Sequence, residues 1–316
     1  MGGEPVLHTP LPFPTLPLMA RQLTHALTQF HRTQLFPRVS AVVVCLGLYA
    51  FAIVALDQYV LHDTIKAKST LHTYLALVLG GLLVFRTNTA YDRWWEGRKL
   101  WGQLVNDSRN LAIKVHTCVR AESHEKRLFA RHLIAFGYAL KGHLRDGVRL
   151  QDLDGFQNST DNPTHVPAYV ADSIYQQMET WRRTNQLGRI ELLLLDPHAA
   201  SLMNVCGGCE RIRKTPISVS WRSFIRQILG IYLLSLPWGL EDEMGYWSVP
   251  IMLLVSYFMV GMESIAEDVE EPFGDGEDDL KLDEICASIK ASVLEIVGQG
   301  DTTSNEEWHV AATSEP

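Results

Sequence analysis

The sequence predicts an all-α membrane protein with four transmembrane helices plus a large cytosolic helical domain. Three observations carry that prediction. Apolar residues gather in four blocks near the two ends of the 316-residue chain, a polar helix-patterned centre from about Arg86 to Thr215 holds most of the charge, and Lys and Arg cluster on one side of the blocks. Averages hide this division, because 47% hydrophobic and 20% charged residues bring the mean hydropathy close to zero.

The first twenty residues, with prolines at 5, 10, 12, 14 and 17, read as an extended arm with no charged n-region leading into an apolar h-region. Arg21 to Arg38 reads as an amphipathic interfacial segment. Val39 to Leu56 is free of charge and is the first expected span. A polar loop, Asp57 to Lys68, follows. The second span begins at Ser69, is uncharged to Phe85, and runs without a breaker into Arg86, Asp92, Arg93, Glu96, Arg98 and Lys99. One long helix, half in lipid and half in water, is therefore expected here.

In the centre, Phe129, Leu133, Phe136 and Leu140 recur on one helical face. A polar loop is expected from roughly Gly147 to Thr164, with helix again from Ala168. Cys206 and Cys209 flank Gly207 and Gly208 in a CxxC, the spacing of a zinc or redox pair, but with no second ligand pair the motif reads rather as a helix start that allows close packing. The third apolar block, Gln227 to Leu240, contains Pro237 and is short for a span, which implies a broken helix or shielding by other subunits. The fourth, Trp247 to Met262, runs into Glu263, Glu267, Asp268, Glu270 and Glu271. The resulting divisions are 1–38, arm and interfacial helix; 39–85, the first two spans; 86–226, the cytosolic helical domain; 227–266, the last two spans; and 267–316, an acidic cytosolic segment. The Lys and Arg distribution puts the large central region and both termini in the cytoplasm, with a plasma membrane as the expected location.

The second span carries an uneven stripe. Thr73, Leu77, Gly81 and Phe85 recur every fourth residue and share a face, whereas the opposite side, Leu75, Val78, Leu79, Leu82 and Leu83, is uniformly aliphatic. Packing of helices through Gly80 and Gly81 is one reading of the stripe. If several copies surround an axis, Leu77, Gly81 and Phe85 instead form stacked apolar rings that gate by excluding water. No GxSxG, HExxH, P-loop or Rossmann fingerprint is present, so an enzyme is not expected. The twelve histidines are scattered singly, and a net charge of -8 without a basic run excludes nucleic acid as a partner.

Three strings, FRTNTAYDRWWEGRKLWG from Phe85 to Gly102, GGCERIRKTP from Gly207 to Pro216 and EDVEEPFGDGEDDL from Glu267 to Leu280, resemble the bestrophin family, in particular its short bacterial-type members. The resemblance implies a homopentamer around one pore, passing monovalent anions such as chloride, with a monovalent-cation channel as the alternative of the same fold and a non-conducting membrane scaffold as the rival. It implies a pore neck of Leu77, Gly81 and Phe85. Gly81 departs from the bulky apolar residue usual in the middle ring, so a wider and leakier neck is expected. It also implies a cytosolic constriction at Ile190, twenty positions before Glu210. Calcium is the one candidate cofactor, because the residues after PFG form a calcium clasp in animal members. Here Asp279 matches the later clasp aspartate while Gly276 replaces the earlier one, leaving Asp275, Glu277 or Asp278 as substitutes, and Asp278 and Asp279 as the candidate ligands. The expected partners are further copies of the chain, membrane lipid and monovalent ions.

Overall fold

The computed structural model describes residues 35–61 and 69–298, and within them the regular structure is helical. The expected N-terminal arm, most of the interfacial segment, the end of the first loop with Lys66 and Lys68, and the chain after Gly298 lie outside the described residues. Eight α-helices are present among those described: α1 (Leu35–Leu56), α2 (Ser69–Cys118), α3 (Ser123–Leu144), α4 (Val166–Arg183), α5 (Arg189–Lys214), α6 (Val219–Met244), α7 (Ser248–Val269) and α8 (Leu282–Gly298). They fall into two compact units, one of residues up to 81 together with 227–265, the other of 82–226 with the residues from 266 onward.

The first unit is built from apolar helices around Ala50, Leu79, Leu229, Tyr232, Leu233, Leu236 and Met252. Close approach is needed at two glycines. A methyl at Gly47 would overlap Leu253, and one at Gly239 would overlap the ring of His72. Among the described residues, three helices are long and apolar enough to cross a membrane, Phe36–Tyr59, Thr70–Cys118 and Gly245–Val269. The third apolar block of the sequence is short for a span, as expected, but the helix that holds it is not broken. It sits inside the 26-residue α6, whose length exceeds a bilayer core at about 1.5 Å per residue but whose ends carry Arg222, Arg226, Glu241 and Glu243. Pro237 removes one backbone donor. Beside it, Tyr49 Oη donates to the carbonyl of Leu234 at 2.9 Å, and Trp238 Nε1 donates to Tyr49 Oη at 3.1 Å.

The second unit is a polar-surfaced bundle of α3, α4, α5, α8 and the later part of α2. Phe129, Leu133, Phe136 and Leu140 are all buried, as their spacing predicts. Helix α8 joins them through Leu282, Cys286, Ile289 and Val293, which recur at helical spacing. The connection from α3 to α4 is less polar inside than its sequence suggests, since Leu150, Leu153 and Phe156 are buried. Helix α2 persists for 50 residues because no proline interrupts it. Thr87 and Thr89 bond back to the carbonyls of Leu83 and Phe85, so neither hydroxyl is left unsatisfied.

Cys206 and Cys209 are not at a helix start. They lie in the second half of α5, both buried, where a methyl on Gly208 would press on Leu100 while Gly207 has open space. Burial pushes the Cys206 thiol up to about 12 and the Cys209 thiol in the same direction. Both are inert packing residues in this setting.

Candidate functional site

Helix α2 positions the expected stripe. Successive members are four residues apart, so they climb one face at about 6 Å per step. That face is bare: Leu77 is 78% and Phe85 69% exposed, and Thr73 and Gly81 are exposed too. A methyl built on Gly80 or Gly81 meets nothing within 4 Å, so these glycines serve no close packing within the chain. On the opposite, aliphatic side Leu79 and Leu83 are buried, whereas Leu75 and Val78 are exposed. An exposed apolar stripe is a surface whose neighbour, protein or lipid, lies outside the chain.

One residue beyond Phe85 the chemistry reverses. Arg86 is wholly buried and pairs with Glu270 at 2.7 Å, itself 1% exposed. The acidic string before PFG is thus not simply a solvated face. Glu270 Oε1 also accepts the backbone N–H of Ile217 at 3.1 Å. Arg93, two turns along α2, donates to the carbonyls of Glu270 at 3.1 Å, Ile212 at 2.7 Å and Thr215 at 2.6 Å. These are the carbonyls left without partners at the ends of α5 and α7. The segment of α2 directly after Phe85 is therefore clamped by charge to the end of α7 and the α5–α6 connection. Sequence reasoning placed Arg86 only as the start of a basic run.

Ile190 lies in the first turn of α5 and is 73% exposed, beside the exposed Leu193 and Leu194, whereas Leu195 is buried. It is therefore not an ordinary core isoleucine in this chain.

The loop after PFG is closed by protein cations. Arg145 donates to the carbonyls of Phe273 at 3.1 Å and Gly274 at 2.9 Å and pairs with Asp275 at 2.7 Å and Asp283 at 3.0 Å, while Lys281 reaches the carbonyl of Gly276 at 3.2 Å. Asp279 accepts the N–H of Gly276 at 2.6 Å, and burial raises its pKa. The carbonyl of Asp278 accepts from Trp94 Nε1 at 3.0 Å, and its side chain is exposed. The carbonyls of Phe273, Gly274 and Gly276 and the carboxylates of Asp275 and Asp279 are thus already engaged by Arg145, Lys281 and the backbone. Lys141 first, with Arg145, holds the Asp283 carboxyl below the usual range.

An all-helical membrane protein with a bare apolar stripe and a charge-clamped bundle is the class these features define. The model of the bacterial/fungal bestrophin family matches residues 19–295. Among curated proteins, a voltage-dependent anion channel-forming protein of Nostoc is 35% identical over 265 residues, covering 79% of this chain and 84% of the relative. One of Mesorhizobium japonicum is 32% identical over 273 residues, covering 85% and 88%. A solved bacterial bestrophin homologue from Klebsiella pneumoniae superposes with a TM-score of 0.76 at 24% identity, covering 81% of this chain and 97% of that one. The chain belongs to the bacterial/fungal bestrophin family.

Proposed function

We propose that this chain is an ion channel that assembles as a homopentamer and passively conducts monovalent anions such as chloride through a neck lined by Leu77, Gly81 and Phe85. The observation that carries the reading is the exposed apolar stripe on α2, whose middle position has no side chain and nothing near it. Apolar rings at a constriction gate by dewetting, and a glycine ring widens the passage and weakens that barrier. The curated relatives named as anion channel-forming proteins support the choice of anions. Ile190 forms the second constriction in this reading, with both termini and the charged bundle on the cytoplasmic side and α6 as a fourth span completed by neighbouring subunits. Current through the neck needs no calcium, because Arg145 and Lys281 already close the loop that carries Asp278 and Asp279.

The test is the reversal potential of purified protein in a planar bilayer under a NaCl gradient, with and without calcium. Reversal at the chloride equilibrium potential, unchanged by a calcium chelator, is the expected result. Reversal at the sodium potential transfers the same neck to cations. Silence of well-incorporated protein, with the Phe85→Ala variant equally silent, leaves a membrane scaffold.

A further inference from the structure

Away from the stripe, three ligand atoms converge from three elements of the bundle. His143 ends α3, His165 caps the start of α4 and Glu210 lies in α5. The Nε2 atoms of His143 and His165 stand 2.7 and 2.8 Å from the same Oε1 of Glu210. All three atoms lie within 4.8 Å of one another, and no other set of three or more His, Cys, Asp or Glu residues does so among the described residues.

We propose that His143, His165 and Glu210 bind a divalent transition-metal ion of the zinc class. Two imidazoles and one carboxylate, with the remaining positions open to water, are a donor set that suits such ions. Lys214 donates to Oε2 of Glu210 at 2.8 Å, which leaves Oε1 to face the histidines. Arg213 donates to the carbonyls of His143 and Arg145 and fixes the backbone of the first ligand. The triad is half-buried, sheltered yet reachable by a hydrated cation.

Without metal the triad is held by protons. Nδ1 of His165 accepts the N–H of Ala168 at 3.1 Å, so its Nε2 carries the proton and donates to Glu210. Metal entry moves that proton to Nδ1 and frees the Nε2 lone pair for the cation. The same exchange on His143 leaves each neutral ring with one proton, while a protonated ring releases one to water. Metal–ligand bonds of about 2.0–2.1 Å place ligand atoms about 3.3 Å apart in a tetrahedron. The contacts must therefore widen by about half an ångström, and His165 gives up its cap on α4. Occupancy thus links the end of α3 and the start of α4 to the helix that carries Ile190.

Full-length protein in detergent, stripped with a chelator, is titrated with ZnCl2 and separately with CoCl2. One saturable zinc per chain is expected, with a visible cobalt absorption of a low-coordinate site that zinc abolishes. His143→Ala and His165→Ala should each weaken zinc by more than the roughly 10–100-fold typical of changes one shell further out. His124→Ala, on an exposed side chain elsewhere, should leave it unchanged. Should either ligand variant fail to fold, the wild-type zinc stoichiometry and cobalt spectrum decide alone. No saturable zinc and no cobalt band overturns the proposal, as does zinc binding that survives both histidine substitutions. The readout needs no current, so it stands apart from the pore reading.

Discussion

The stripe on α2 and the bundle of α3, α4, α5 and α8 use similar side chains to opposite ends. In the bundle, Phe136, Leu140, Ile174 and Trp181 are fully buried and the principal charges are matched within the chain. On the stripe, Leu77 and Phe85 stand bare and Gly81 faces open space. The core of the bundle is filled within the single chain. The stripe is complete only when something else, water-excluding rings from other copies in our reading, is placed against it. Substitutions should therefore act on stability in one region and on current in the other.

The largest effects belong in the buried region. Phe136→Ala should cost about 3–5 kcal/mol of stability, read by thermal or denaturant unfolding of the purified protein. Glu270→Ala should cost a similar ~3–5 kcal/mol, because it removes one carboxylate of a fully buried ion pair; the double variant Arg86→Met/Glu270→Leu should recover most of it. A Glu270→Ala protein as stable as wild type would show that the clamp after Phe85 carries little energy.

On the stripe the expectation reverses. Phe85→Ala should change unfolding by less than about 0.5 kcal/mol, as exposed positions do, while raising single-channel conductance. Gly81→Leu should fill the middle ring and lower it. Loss of assembly by Gly81→Leu, with no conductance to change, would favour helix packing as the role of the stripe.

Acid provides a smaller effect that separates the regions again. The Glu210 carboxyl is depressed from 4.5 to about 2, so its contribution is fully present above pH 4.5 and is lost as the pH falls toward 2. Bundle stability should fall across that window as the pH is lowered, and Glu210→Gln should flatten this part of the profile. The smallest effect is expected for Asp279→Asn. Burial raises the pKa of Asp279, so holding it charged at neutral pH opposes folding slightly, and an amide oxygen can still accept the N–H of Gly276. Stability should change little and current should stay indifferent to calcium. A calcium response that Asp279→Asn abolishes would return the loop to a clasp.

Much of the fold was legible because it is written in local periodicity. The four-residue recurrence of Leu77, Gly81 and Phe85, and of Phe129, Leu133, Phe136 and Leu140, follows from 3.6 residues per turn and needs no knowledge of neighbours. Helix α8 was not read from the sequence, which gave only an acidic segment there, although Leu282, Cys286, Ile289 and Val293 recur at helical spacing. The CxxC motif misled because two glycines suggest a helix boundary, whereas α5 tolerates them internally once Gly208 meets Leu100.

Side-chain partnerships across the chain were not legible. Arg86 and Glu270 are 184 positions apart, and each alone reads as a solvated charge. His143, His165 and Glu210 carry no motif spacing, so each histidine by itself reads as a surface residue.

The sequence by itself determined the helices, the apolar blocks and the face each helix offers, because those depend on residues within a few positions of one another. The tertiary structure alone decided which offered faces are covered, which charges are buried as pairs and which donors meet at one point. Those outcomes depend on distances between segments far apart in the chain, and burial, pairing and ligation are properties of such distances rather than of any one stretch.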